Sequence, residues 1–186
     1  MGRRIRAETG LWHPGPLARA CARTFAAAIT LMAVEGAIAQ TGSVLSLRRS
    51  SRTLPATGDP VWQLQLTVPG QKTHSFEAVV GRASRQQADR HRLGSQAPLP
   101  AGRYRLTDIS EIRPEDPVEL GRVLWIGLEP QFPTARRALG IHHDPSAGMG
   151  PESGTDGCIG LIRGSDLLSL AALLEQSGTH DLVVIQ

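Results

Sequence analysis

Apolar and polar positions alternate through much of the chain. Trp62, Leu64, Leu66 and Val68 interleave with Gln63, Gln65 and Thr67, the period-two signature of a strand with one face in a core and one in water. Pro69-Gly70 turns the chain, and Phe76, Ala78 and Val80 share one face of a second strand over about 74–80; the two read as a hairpin. A further alternating run covers 103–109, led in by Pro98-Leu99-Pro100-Ala101-Gly102. Residues 123–128 (VLWIGL) are apolar at nearly every position, which predicts a central strand covered on both faces. Residues 139–142 and 182–185 complete the strand candidates.

Only one segment has helical spacing. Leu167, Leu168, Leu170, Leu173 and Leu174 form a broad apolar stripe, with Ser165 or Asp166 to cap its start and Gly178 to stop it. Six or so strands and one C-terminal helix predict a mainly β domain, a β-sandwich with the helix packed on it. Between these elements, residues 82–96 hold Arg82, Arg85, Arg90 and Arg92 and almost nothing apolar, the composition of a long exposed loop. Residues 110–121 read as an acidic, proline-bearing loop. Residues 40–60, rich in Ser, Thr, Arg, Gly and Pro, read as a connector in which only Val44, Leu45 and Leu47 can anchor a short strand.

Composition changes the picture at the N-terminus. Of 186 residues 40% are hydrophobic and the net charge is only +3, so a folded core is expected. Arg3, Arg4, Arg6, Arg19 and Arg23 precede an apolar run at 25–34, and Ala37-Ile38-Ala39 supplies small-x-small residues. Residues 1–39 therefore read as a signal peptide cleaved after Ala39, and a run of this length falls well short of the roughly 20 residues that cross a bilayer. The expectation is an exported protein of the periplasm or cell wall with no permanent membrane anchor. The 147 residues that remain carry 15 basic and 15 acidic side chains, which lacks the footprint of a nucleic-acid binder. Cys21 leaves with the signal and precedes its apolar run, so it is not a lipidation site. Cys158 is then the only thiol, and an unpaired cysteine in an oxidising compartment calls for a reactive role or an intermolecular partner.

The chemistry concentrates in residues 141–164, IHHDPSAGMGPESGTDGCIGLIRG. Its glycines and prolines predict a loop, and a loop that returns His142 to Cys158 makes a thiol–imidazole pair. A free thiol with pKa ~8.5 is only a few per cent thiolate near neutrality, and an imidazole neighbour can take its proton. Gly157 has no Cβ to block a substrate carbonyl, so the N–H groups of Gly157 and Cys158 could form an oxyanion hole. His142, His143, Asp144 and Cys158 are also zinc-ligand types, but adjacent histidines in an extended segment point to opposite faces, so no metal is expected.

At this point the residues resemble the L,D-transpeptidase (YkuD-like) catalytic domain of bacterial cell-wall enzymes. Ile141-His142 matches that family's opening pair, and Thr155, Gly157, Cys158 and Ile159 match its closing motif sixteen residues after His142. Ala97 to Tyr104 (APLPAGRY) resembles its turn into a strand, and Gly81 fits the glycine before it. The likeness spans roughly 61–186. It implies a β-sandwich in which Cys158 is the nucleophile, His142 the general base and the carbonyl of His143 the group that orients His142, with Gly157 lending an oxyanion N–H. It implies attack on a peptidoglycan stem peptide before its terminal D-residue, a thioester enzyme, and resolution by an amine of a second stem, without a cofactor. Thr155, Asp156 and Gly160 would be the substrate-binding positions. Two of these depart from the family pattern: Asp156 stands where the motif has histidine, and Gly160 where it has Asn or Arg. The departures keep hydrolytic outcomes open, an L,D-carboxypeptidase or a peptidoglycan-cleaving hydrolase, together with a non-catalytic wall-binding module. Oligomeric state is not legible.

Overall fold

The computed structural model describes residues 42–185; the signal-peptide reading of 1–39 falls outside them. Eight strands occur in chain order: β1 (Val44–Thr53), β2 (Pro60–Thr67), β3 (His74–Val80), β4 (Gly102–Glu111), β5 (Leu124–Pro130), β6 (Leu139–His143), β7 (Ile159–Leu161) and β8 (Asp181–Ile185), with one helix, α1 (Gly164–Ser177), between the last two. The mainly β class with one helix matches the sequence pattern. The expected sandwich does not: the strands close into one barrel in the order β1-β2-β3-β7-β6-β5-β4-β8. Closure comes from β8, which runs parallel to β1 on one side and antiparallel to β4 on the other, and among the described residues it leaves no unpaired sheet edge.

Two strands depart from the sequence reading: the short strand that Val44, Leu45 and Leu47 could anchor is ten residues long, and another lies inside the predicted loop. The segment read as a connector carries β1, ten residues long and paired to both β2 and β8. Only Leu45 and Leu47 of it are fully buried; the arginines and serines that follow lie towards the surface. Leu47→Ala is expected to cost about 2–5 kcal/mol, read as a drop in the urea midpoint; a true connector would tolerate it. β7 is three residues long inside the predicted loop, and it exists because β3 and β6 flank it.

The alternation in β2 and β3 is borne out. Trp62, Leu64 and Leu66 are buried and pair across the hairpin, Trp62 with Ala78 and Leu64 with Phe76. α1 buries Leu167, Leu170, Ala171 and Leu174 in the same core cluster. It starts at Gly164 after Arg163, with no side-chain cap, while Asp166 pairs with Arg163 at 2.9 Å. Gly178 ends it in the left-handed region at φ 60°, as its position predicts. Among the described residues no helix is long and apolar enough to cross a membrane.

Candidate active site

β6 and β7 are parallel neighbours, with Ile141 opposite Ile159 and His142 opposite Gly160. Parallel partners need a long crossover, and residues 144–158 supply it. One residue back along the register, Cys158 lies beside Gly140. Side chains alternate between faces, so with Ile141 and Ile159 in the core, His142 and Cys158 share the other face as diagonal neighbours. That spacing is within reach of long side chains. The register thus puts on one face the two residues that the sequence singled out.

His142 is only 2% exposed. Its ring stacks on Trp125, centroids 6.0 Å apart and planes 16° from parallel, and its Nδ1 lies 3.0 Å from the carbonyl oxygen of His143. Gly140 makes room for that stack, since an added Cβ would fall on the Trp125 ring. The His143 ring is directed elsewhere, between Gly121 and Gly164. Among the described residues no three His, Cys, Asp or Glu side chains converge as a metal site.

Burial pushes the Cys158 thiol up to about 11, against smaller downward pulls from the Gly140 backbone and Arg136. Burial likewise holds His142 below the ordinary histidine value, with the His143 carbonyl opposing. Both effects disfavour charge. The resting pair is therefore a neutral thiol beside a neutral imidazole, not the standing thiolate that a thiol–imidazole spacing invites. Cys158 keeps part of its surface exposed, and its Sγ lies 3.7 Å from the carbonyl oxygen of Ala138.

The crossover loop is held by buried polar side chains. Asp144 accepts from the Ser146 N–H at 2.8 Å and the Gly154 N–H at 3.0 Å. Ser153 donates to Asp59 and accepts from Gly148 N–H. Thr155 Oγ1 accepts from the N–H groups of Gly81 at 3.0 Å and Gly157 at 3.2 Å and donates to the Cys158 carbonyl at 2.7 Å. Thr155 is thus buried structure, and Gly160 lies beneath the loop against Thr155 and Asp144; neither presents itself to a substrate. The Gly157 N–H, expected as an oxyanion donor, is already engaged by Thr155. Thr155→Val leaves three backbone groups unpaired, and a loss of several kcal/mol is expected at about 1–3 kcal/mol each, measurable by thermal unfolding.

Asp156 is exposed and points at neither Cys158 nor His142 as its partner. Its carboxylate accepts from Gln96 Nε2 at 2.9 Å and faces Arg82 at 3.4 Å. These contacts, with Gln86 bonded to the carbonyls of Val80 and Arg82, tie down a segment that composition made an exposed loop. Gln96 and Ala138 are the two non-glycine residues at positive φ among those described, at 56° and 51°. Such backbone costs of order 1–3 kcal/mol and clusters at functional sites; here one residue holds Asp156 and the other offers its carbonyl to the sulfur. Two clefts border Ala138. One of about 460 Å³ is lined by Ile112, Leu120 and Trp125, and one of about 340 Å³ by Leu128, Phe132 and Thr134. A wider cleft of about 650 Å³ runs past Asp59, Arg82 and Gln96.

Sequence reasoning also missed Arg136, a buried arginine in the turn before β6. It stands next to the exposed Arg137 in a short polar stretch, and no periodicity sets it apart.

Residues 63–185 match the family model of the L,D-transpeptidase catalytic domain, YkuD. No curated protein matches the chain.

Proposed function

The chain belongs to the L,D-transpeptidase catalytic-domain family, and on that premise we propose that it is an exported cysteine-dependent L,D-transpeptidase of peptidoglycan stem peptides. The observation that carries this reading is the register of β6 on β7, which supports His142 and Cys158 sharing one face, with a cleft at Trp125, the ring stacked on His142, and at Ala138, whose carbonyl faces the sulfur.

The chemistry follows from two neutral partners. His142, held by the His143 carbonyl through Nδ1, presents its other nitrogen as a base. It takes the Cys158 proton as Sγ attacks the carbonyl carbon before the terminal D-residue. The S–C bond forms, the carbonyl electrons move to oxygen, and a backbone N–H such as that of Cys158 would receive that charge. Collapse breaks the C–N bond, His142 returns the proton to the departing amine, and a thioester remains. The amine of a second stem then attacks the thioester, forms the new amide and restores the thiol. Because the proton moves during attack, the high resting thiol pKa is no obstacle. The two clefts that border Ala138 would serve as the approaches of the two stems.

Water in place of the amine gives a carboxypeptidase by the same acylation. Incubating residues 40–186 with a disaccharide-tetrapeptide and weighing the products decides between them. The expected product is a cross-linked dimer with one D-residue released per cross-link. Tripeptide as the main product would replace transfer by hydrolysis, and unchanged tetrapeptide would favour a wall-binding role.

A further inference from the structure

The Arg136 side chain is 3% exposed, and the reaction above does not use it. Its Nη1 donates to the carbonyl of Arg90 at 3.3 Å, Ser95 Oγ at 3.4 Å and the carbonyl of Ala97 at 3.2 Å, and its Nη2 donates to the carbonyl of Asp156 at 3.3 Å. None of these acceptors is a carboxylate. A guanidinium buried with no carboxylate in hydrogen-bond contact is costly, so its retention next to the loop that carries Cys158 needs a physical reason. Gly157 supplies a second observation. It holds φ at 111°, and an added Cβ would fall on the Arg136 guanidinium, so the residue preceding Cys158 is glycine partly because the cation occupies that space.

We propose that Arg136 is a positioning residue of the proposed reaction: its planar fork clamps the Asp156–Gly157 peptide, and its charge stands where the Cys158 anion forms as the thiol proton leaves. The peptide is pinned at both ends, its carbonyl by Arg136 and its N–H by Thr155. Thr155 in turn holds the Cys158 carbonyl, so the clamp reaches the nucleophile through one continuous set of hydrogen bonds. The Asp156 carboxylate acts on the guanidinium only weakly from its exposed position, and the largest opposing charge arises as the thiol ionises. Burial pulls the Arg136 value down and the Cys158 anion is the largest influence restoring it, the reciprocal of the pull Arg136 exerts on the thiol.

The inference rests on Cys158 being the nucleophile, and its test separates the two. Alkylation by iodoacetamide at pH 8.5, followed by intact mass on residues 40–186, in which Cys158 is the only cysteine, needs no peptidoglycan. Arg136→Gln keeps donors but loses the charge; its alkylation rate is expected to fall about tenfold, the one-unit rise in thiol pKa that losing a nearby opposite charge produces. Arg136→Lys keeps the charge but not the fork. It is expected to alkylate within about threefold of wild type and to release the terminal D-residue at least about tenfold more slowly, since a point charge does not replace a planar clamp. A purely structural arginine would lower the melting temperature of both variants and leave alkylation per folded molecule unchanged. Wild-type alkylation in Arg136→Gln overturns the electrostatic part, and wild-type turnover in Arg136→Lys overturns the clamp, including where the glutamine variant does not fold. If Cys158→Ala still released the D-residue, the nucleophile reading would fall, while the alkylation difference would stand or fall on its own.

Discussion

Cys158→Ala is expected to abolish release of the terminal D-residue, by about 10⁴-fold or more, the scale seen when a covalent nucleophile is removed. The fold should persist, because Cys158 is only half-buried and its thiol donates over a long 3.7 Å contact to the Ala138 carbonyl. The same substitution has a signature in stability. The folded-state thiol value, about 11, lies above the ordinary one, so the thiolate favours the unfolded chain. The wild-type contribution is intact below the ordinary thiol range and is lost as pH rises towards 11. Thermal melts between pH 8 and 11 should show that alkaline loss in wild type and a smaller one in Cys158→Ala. A variant that retained turnover would remove the covalent mechanism altogether.

Removal of His142 has the second largest effect and a distinctive pH dependence. At pH 7 His142→Ala is expected to lose about 10²–10⁴-fold, the usual worth of a positioned base. Without the imidazole, attack depends on thiolate formed by solvent, and that fraction rises tenfold per pH unit until the thiol titrates near 11. The variant's rate should therefore climb through the alkaline range. Wild type should be level from neutrality downwards and fall only below the ordinary histidine range, because burial keeps His142 unprotonated there. A pH–rate profile of the two proteins reads both slopes, and parallel profiles would deny His142 its role as base.

The contrast between His142 and Asp156 shows what a sequence can carry. The pair His142–Cys158 is legible because glycines between them announce a returning loop and the residue types are themselves chemical. The β2–β3 hairpin and α1 are legible because their burial follows the period of the backbone. Asp156 is different. Its direction is set by Gln96, sixty residues away in sequence, and no local pattern encodes that. β1 escapes because its outer half, Arg48 to Arg52, has no apolar alternation; it is a strand through pairing with β2 and β8, the kind of context that overrides strand propensity. β7 escapes because Gly160 weakens a three-residue strand that its neighbours nevertheless impose. The place of Thr155 and Gly160 in the motif predicts substrate contact, whereas Thr155 is buried and Gly160 packs against it and Asp144. The thiol's elevated pKa is equally invisible in the chain, since burial is a property of the fold.

Gly157 joins the two levels. A positive φ of 111° and the adjacent guanidinium both exclude a side chain, so Gly157→Ala should lose about 1–3 kcal/mol from backbone strain alone. It should also displace Arg136, lowering turnover in the fraction that remains folded; melting and product release measured together would separate these effects.

The most direct test of the account is the intact mass of the protein quenched during turnover of a disaccharide-tetrapeptide. The prediction is an added mass equal to the disaccharide-tripeptide acyl group, located on Cys158 by peptide mapping and absent from Cys158→Ala. Release of the D-residue with no adduct on Cys158, or with the adduct on another residue, would contradict it.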